Sequence, residues 1–342
     1  MIDDIDETGK LAHADAQHPS IESFEDSLSL RLPRDHHPLA INRIYRRMIP
    51  RWHFAMLNDA ERNRAFHAAL RAQLEPDQLV LDVGAGSGLL GMMAARAGAR
   101  AAVSCEMLEP VAHVARRIIA ANGLSDRVSV VPKSSFDLRV GHDLPARADL
   151  LVTETIDCGL LGEGILPIIH HAVDHLLREG ARIIPAGARV MFALLESPAI
   201  HHNNFAFEAG DFDVRLFNRF STREYFPVRL STWSHEFLCA PATAFDFAFQ
   251  AAPRAPGVNW VPVEIQRSGA VHGVVFWFEL DLGAGIRLSN APHSPQSHWM
   301  QAVQCFELPV RVERGATAVV QAAHDATSLW FTLHPEPWKK TP

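Results

Sequence analysis

The sequence predicts an α/β, Rossmann-type domain followed by an antiparallel β-barrel domain, and three observations carry that reading. An apolar run, Leu79–Val83, feeds a glycine-rich turn and then a helical pattern at Leu89–Ala95, the strand, loop and helix that open a doubly wound sheet. Strand-like and helix-like stretches then alternate as far as Pro185, which calls for a parallel sheet. Beyond Pro185 the apolar period drops to two, in runs such as Arg189–Leu195, Phe245–Phe249, Val274–Leu280 and Val310–Glu313, with turn signals between them.

Taken in order, residues 1–40 are polar and acidic and read as a partly disordered extension with a short helix over 20–32. Order is expected from about Ile41, the Rossmann-type domain spanning 41–185 and the barrel 186–342. Residues 51–66 read as one helix, with Met56, Ala60, Asn63 and Phe66 at helical spacing. After the glycine loop, Ala101–Glu106 is a second strand that ends on an acid. Pro110–Asn122 is a helix opened by proline and stopped by Gly123. Val128–Val131 is the third strand, with Lys133, Ser134 and Ser135 at its carboxyl end. Asp149–Glu154 is the fourth, Gly164–Arg178 a helix, and Ala181–Ile184 the fifth strand. In the second half, residues 200–226 interrupt the alternation with aromatics of weak periodicity, a candidate partner or oligomer surface.

Composition removes several function classes. A net charge of −7 argues against a general nucleic-acid binder, which carries a basic excess. The four cysteines are scattered with no C-x-x-C, as expected of reduced thiols in the cytoplasm. No stretch reaches the ~18 apolar residues of a membrane-spanning helix. The acidic start, Met1–Glu7, is unlike a signal peptide.

The glycine spacing narrows the ligand. Gly84, Gly86 and Gly88 form G-x-G-x-G, whereas a dinucleotide fingerprint wants its third glycine where Leu89 stands, and the Gly-Lys-Ser/Thr of a P-loop is absent. Glu106, at the end of the next strand, suits the two hydroxyls of a ribose. The pair points to S-adenosylmethionine rather than NAD. The loop after the fourth strand then offers two carboxylates, Glu154 and Glu163, across a glycine-containing turn. Such a pair serves a metal, acid–base chemistry or a cationic substrate. A metal would want further ligands, and His170, His171 and His175 sit on the following helix; no metal is expected. A glycosidase pair sits poorly beside a nucleoside-binding turn. A guanidinium matches two carboxylates in fork geometry. Two fixed negative charges also offset the repulsion between a sulfonium donor and a cationic acceptor. With a guanidinium pKa above ~12, polarisation and alignment count for more than prior deprotonation.

On these residues the chain resembles the protein arginine methyltransferases, over residues from about 41 to 340. Glu154 and Glu163 stand at the separation of that family's double-glutamate loop. Asp82 and Gly84–Gly88 match its first cofactor motif, and Glu106 its ribose-binding acid. Ser297–His298–Trp299 matches its second-domain loop, and the segment with His53, Met56, Asp59 and Arg62 its cofactor-covering helix. The resemblance implies that Arg62 binds the cofactor's carboxylate, with His53, Asp82, Gly84, Gly86, Glu106 and Ser134 also on the cofactor. It implies that Glu154 and Glu163 clamp the guanidinium, with Trp299 and Met56 beside the substrate. It pairs His298 with Asp59, as a proton exit or an interdomain ion pair. It further implies S-adenosyl-L-homocysteine as product and a homodimer joined by an arm, for which 200–226 is the candidate.

Departures from the pattern are Ser297, Met300, the Ile156–Asp157 context and the scarcity of tyrosine (Tyr45 and Tyr225 only). They look closest to the monomethylating branch. An Ala- and Arg-rich composition suits a bacterium, and bacterial relatives in natural-product pathways methylate free L-arginine. That substrate is the expectation, with a protein or peptide arginine as the alternative. Two other readings stand beside it: a small-molecule methyltransferase acting on oxygen or another amine, and a non-catalytic dimeric scaffold.

Overall fold

The computed structural model describes residues 49–252, 254–294 and 297–335. The expected extension, its helix over 20–32 and the start of order near Ile41 lie outside the described residues.

Residues 51–66 form two helices, not one. Helix α1 (Trp52–Leu57) ends before Asn58, and α2 (Ala60–Gln73) starts afresh with Asp59 as its N-cap, the carboxylate accepting the Arg62 N–H. Aspartate competes with helix interior by this bond, so it breaks a pattern that apolar spacing alone would run through. The first sheet comprises β1 (Leu79–Val83), β2 (Ala101–Cys105), β3 (Val128–Val131), β4 (Ala148–Thr153) and β5 (Leu177–Ile184). All pairs are parallel, in the order β3-β2-β1-β4-β5. The chain steps outward from β1 to β3 and then returns to the far side of β1 with β4. The switch point, where such sheets open a crevice, therefore lies between β1 and β4. Their last paired residues are Val83 and Thr153. The next residues along each strand are Gly84 and Glu154, so the glycine loop and the first glutamate leave the sheet side by side.

Helix α3 (Leu89–Ala97) follows the glycine loop and α4 (Glu109–Ala121) follows β2. Gly84, Gly86 and Gly88 all have positive φ, at 73°, 52° and 78°, which explains glycine at each. Gly91 has a different reason: a Cβ there would run into the Ser104 hydroxyl, so its absence lets α3 sit close on β2.

The helix expected over 164–178 is shorter. Helix α5 (Ile165–His171) passes into a π turn at Ala172–Leu176, and β5 already begins at Leu177. Leu177 pairs with Ala148 and the register then jumps to Leu150↔Arg182, so Arg178, Glu179 and Gly180 bulge into solvent. That polar bulge hides the start of the strand from any apolar periodicity.

From Gly187 every strand pairing is antiparallel. Strands β6 (Gly187–Glu196), β7 (Ala242–Ala248), β9 (Gly269–Asp281) and β10 (Gln301–Val312) belong to a seven-stranded sheet. Strands β8 (Gly257–Glu264), β11 (Thr317–His324) and β12 (Leu329–Pro335) form a three-stranded one. Phe331 of β12 packs against Phe192 of β6 and Phe276 of β9, at ring separations of 5.5 and 5.0 Å, joining the two sheets in one core. The interrupting segment contains a short helix (Pro198–His202), a two-residue hairpin pairing (208–209 with 212–213) and a 3-10 turn (Arg215–Phe220). No described helix is long and apolar enough to cross a membrane.

Candidate active site

Two cavities meet at the carboxyl ends of β1 and β4. One, of about 130 Å³, is walled by Gly84–Ser87, Glu106, Leu89, Leu90 and, from α1 and α2, His53, Met56 and Arg62. The other, of about 210 Å³, is walled by Ile156, Asp157 and Cys158 from the loop after β4 and by Pro227, His298, Trp299 and Met300 from the barrel side. Trp52, Glu154 and Glu163 line both. The two glutamates therefore stand at the junction between the glycine-loop cleft and a second, acidic and aromatic one.

Glu154 is buried and its Oε2 accepts from Arg62 Nη2 at 2.7 Å. Burial pushes its carboxyl up, against the pull of Arg62. Arg62, only 3% exposed, also donates from Nη1 to Asn63 Oδ1 at 2.8 Å, while its Nε has no partner among the described residues. Glu163 faces the open side of the cleft. The protein packed around it strips away water, and the charges of Glu154 and Asp157 add to the effect, so its carboxyl is pushed up to about 7.

Asp59 uses both oxygens. Oδ1 caps α2, and Oδ2 accepts from the His298 N–H at 2.9 Å and from His298 Nδ1 at 3.0 Å. These bonds outweigh burial and hold Asp59 below the usual carboxylate range. His298 goes the other way. Burial, aided by Arg62 and Arg229, overcomes Asp59 and lowers the imidazole to about 4. That shift favours a neutral imidazole donating to the Asp59 carboxylate at neutral pH. Its Nε2 lies 3.7 Å from Glu154 Oε1. Arg229 donates to the carbonyls of Ser297 and His298 at 2.9 and 3.3 Å, fixing this loop. Trp299 is buried, donates from Nε1 to the Ile156 carbonyl at 3.0 Å and meets Phe278 edge to face.

On the cleft of the glycine loop, Glu106 accepts from Gly86 N–H at 3.0 Å and Leu108 N–H at 2.9 Å, one bond to each oxygen. A carboxylate oxygen retains a second lone pair, so both can still accept. His53 lines this cleft, its Nδ1 on the Pro50 carbonyl at 3.0 Å. Three expected contacts fall elsewhere. Asp82 is fully buried behind the loop, where Oδ2 accepts from Gly91 N–H and Ser104 Oγ at 3.0 and 2.8 Å; burial raises its carboxyl to about 6. It lines neither cavity, because strand alternation turns its side chain under α3. Ser134 lines neither cavity either; its Oγ accepts from the Phe136 N–H at 3.4 Å, starting a 3-10 turn. Met56 is in the wall of the glycine-loop cleft, not of the second cavity, since the break at Asp59 swings α1 over that loop.

Several residues shape the site without having been singled out. Asn290 is buried in the barrel, donates to the carbonyls of Cys158 and Met300 at 3.1 and 2.7 Å and accepts from Phe278 N–H at 2.7 Å, tying the glutamate loop to the His298 loop. Pro227 completes the second cavity, beside Met300, which the sequence marks only as a departure from the family's pattern. The signals were local and weak: an asparagine in a strand-end turn and a proline within an aromatic-rich stretch. Among the described residues, no three His, Cys, Asp or Glu side chains come together as a metal ligand set.

Comparison with known proteins agrees with this geometry. Residues 231–332 match the arginine methyltransferase oligomerization subdomain, and residues 67–187 match the ribosomal protein L11 methyltransferase family. An arginine N(omega)-methyltransferase of Streptomyces achromogenes subsp. streptozoticus is 44% identical over 282 residues, covering 82% of this chain and 78% of that protein. Protein arginine N-methyltransferase 7 of Drosophila ananassae is 33% identical over 326 residues, 82% of this chain and 47% of the fly protein, so the chain spans about half of that relative's length. The same fold occurs in the Trypanosoma brucei PRMT1 enzyme–prozyme heterotetrameric complex with AdoHcy, at a TM-score of 0.72 and 24% identity, over 84% of this chain and 93% of the other. The Rossmann-type sheet, the antiparallel sheets after it and the extended identity to these relatives together mean that the chain belongs to the arginine methyltransferase family.

Proposed function

We propose that this chain transfers one methyl group from S-adenosylmethionine to a terminal guanidino nitrogen of free L-arginine. The observation that carries the reading is that Glu154 and Glu163 line both cavities, where a donor on one side and a guanidinium on the other would share them. The Streptomyces relative, named for arginine itself, is the more similar of the two curated relatives described above. A second reading, methylation of a protein or peptide arginine, has its own support. Among the described residues, none walling the second cavity is a lysine or arginine that could meet a free amino acid's carboxylate.

The residues of the glycine-loop cleft fit the cofactor. Gly84 and Gly86 leave room for close approach, Glu106 retains acceptor capacity for ribose hydroxyls, and Arg62 has an Nε without a partner among the described residues for a carboxylate. His53 and Met56 would cover it. Asp82 would act by holding the loop, and Ser134 by its turn at the edge of the sheet. When bound, S-adenosylmethionine supplies an electrophilic methyl group and leaves as S-adenosyl-L-homocysteine.

The chain's own residues account for the rest. Glu154 and Glu163 would hold the guanidinium by paired hydrogen bonds and draw its positive charge away from the attacking nitrogen, with Trp299 walling the slot. Transfer to a guanidinium releases one proton. Glu163, ionised while it holds the guanidinium and exposed on one side to water, suits passing it on to solvent. His298, kept neutral down to about 4, is a poor proton store; we assign the His298–Asp59 bond to holding the barrel loop on α2 and so fixing Glu154.

We assign the 200–226 segment to a homodimer contact. Phe212, Leu216, Phe217 and Phe220 are 74%, 80%, 68% and 81% exposed, an apolar cluster that needs covering. A cavity of about 410 Å³, with Leu57 of α1, Leu89, Met92 and Met93 of α3 and Ile118 of α4 in its wall beside His67, Ser87, Arg96 and Asn122, would receive it on a second copy. The four free cysteines suit the reducing cytoplasm.

Incubating the purified protein with labelled cofactor and either L-arginine or an arginine-rich peptide should label the amino acid, with a mass gain of a single methyl. Label confined to the peptide would make the second reading the correct one. Glu163→Gln should lower kcat/KM for arginine about 10²–10³-fold while calorimetry still shows cofactor binding. The pH profile follows from the raised carboxyl. Below about 7 the free enzyme's Glu163 is protonated and neutral, so kcat/KM should fall with acid through that value. The acid limb of kcat itself should lie lower, because a bound guanidinium favours the ionised carboxylate. Leu216→Asp with Phe217→Asp should yield a monomer by light scattering where the unsubstituted chain gives a dimer.

A further inference from the structure

Glu163 reaches the cleft from a turn without regular structure, so its position depends on whatever fixes residues 157–162. Within the turn, Asp157 Oδ1 accepts the Gly162 N–H at 2.9 Å. From outside, Tyr225 supplies the rest. Its hydroxyl and the Asp157 carboxylate crowd the same point beside Gly162, and the two groups interact electrostatically. A Cβ on Gly159 would lie 2.5 Å from its Cζ, and one on Gly162 would lie 2.8 Å from its hydroxyl and 2.5 Å from Asp157 Oδ2. Neither glycine has positive φ, so both are required by the space the tyrosine and aspartate fill, not by backbone conformation.

The ring is itself held. Tyr225 meets the fully buried Phe276 of β9 edge to face, at 5.1 Å and 83°. The following residues, Phe226–Val228, pair with Gln301–Val303 at the start of β10, just after Trp299 and Met300. Pro227, two residues on, walls the second cavity. One barrel-anchored side chain thus presses on the glutamate loop of the other half of the chain.

We propose that Tyr225 is a positioning residue for the methyl transfer. Its ring and hydroxyl set the 157–162 turn so that Glu163 stands opposite Glu154 across the guanidinium. The inference rests on the reading of Glu163 as a substrate carboxylate. A displacement of the clamp by a fraction of an ångström spoils the line of attack more than it weakens binding.

Tyr225→Phe keeps the ring and removes the hydroxyl. We expect kcat for arginine methylation to fall about tenfold, with KM for arginine and the cofactor's Kd within twofold and the melting temperature unchanged. Gly159→Ala, which places a methyl group about 2.5 Å from the ring's Cζ, should likewise lower kcat. An unchanged kcat in Tyr225→Phe overturns the proposal. So does a raised KM with kcat intact, which would make Tyr225 a binding residue, or a kcat loss accompanied by lost cofactor affinity or a lower melting temperature. Glu163→Gln, measured alongside, separates the two claims. Full kcat in Glu163→Gln sinks the reading of Glu163 and this proposal with it. Loss in Glu163→Gln with no effect in Tyr225→Phe sinks only the role of Tyr225.

Discussion

The cleft depends on a balance of buried charge. Asp59 and Glu154 are held where the protein excludes much of the water, Glu163 stands at the open side, and among the described residues Arg62 is the Lys or Arg paired with this group, 2.7 Å from Glu154. Taking carboxylates out of water is costly unless each finds a partner. Asp59 meets that cost with two backbone N–H groups and an imidazole, and stays ionised. Glu154 meets it with Arg62. Among the described residues Glu163 has no such partner, and burial with the charges of Glu154 and Asp157 pushes its carboxyl up to about 7. The site is therefore short of one positive charge, and a guanidinium is a cation of the right shape to supply it.

The same balance explains why the two halves of the chain must close on each other. Arg62 and Asp59 sit on α2, Glu154 and Glu163 on the loop after β4, and His298 and Trp299 on the barrel. Asp59 bonds His298, which is 239 residues away in sequence. Asn290 and Trp299 bond the backbone of the glutamate loop from the barrel side. These are directional bonds between buried polar groups, each expensive to leave unmade. They fix the relative placement of the two halves at the point where chemistry needs it, while the Phe331 contacts do the non-directional packing farther away.

Much of the fold was legible locally. The glycine loop, the parallel strands and the switch to period-two alternation after Pro185 all follow from short-range pattern. The misreadings have local physical causes. Asp59 caps a new helix inside a continuous apolar period, and a polar bulge conceals the first half of β5. Among the site residues, the burial of Asp82 beneath α3 and the turn built on Ser134 depend on which way a strand side chain faces. Motif matching does not specify that.

By itself the sequence determined which chemical groups were available: a loop that only glycine can form, an acid at the end of β2, and two carboxylates nine residues apart. Those assignments survive because turn conformation and residue chemistry are properties of a few neighbouring residues. Only the tertiary structure decided how the groups meet. The pairing of β1 with β4 sets Gly84 beside Glu154, α2 delivers Arg62 to that glutamate, and Tyr225 and Asn290 reach the glutamate loop from the barrel. Strand order and the closing of two halves are long-range outcomes of burying one shared core, and no local period encodes them.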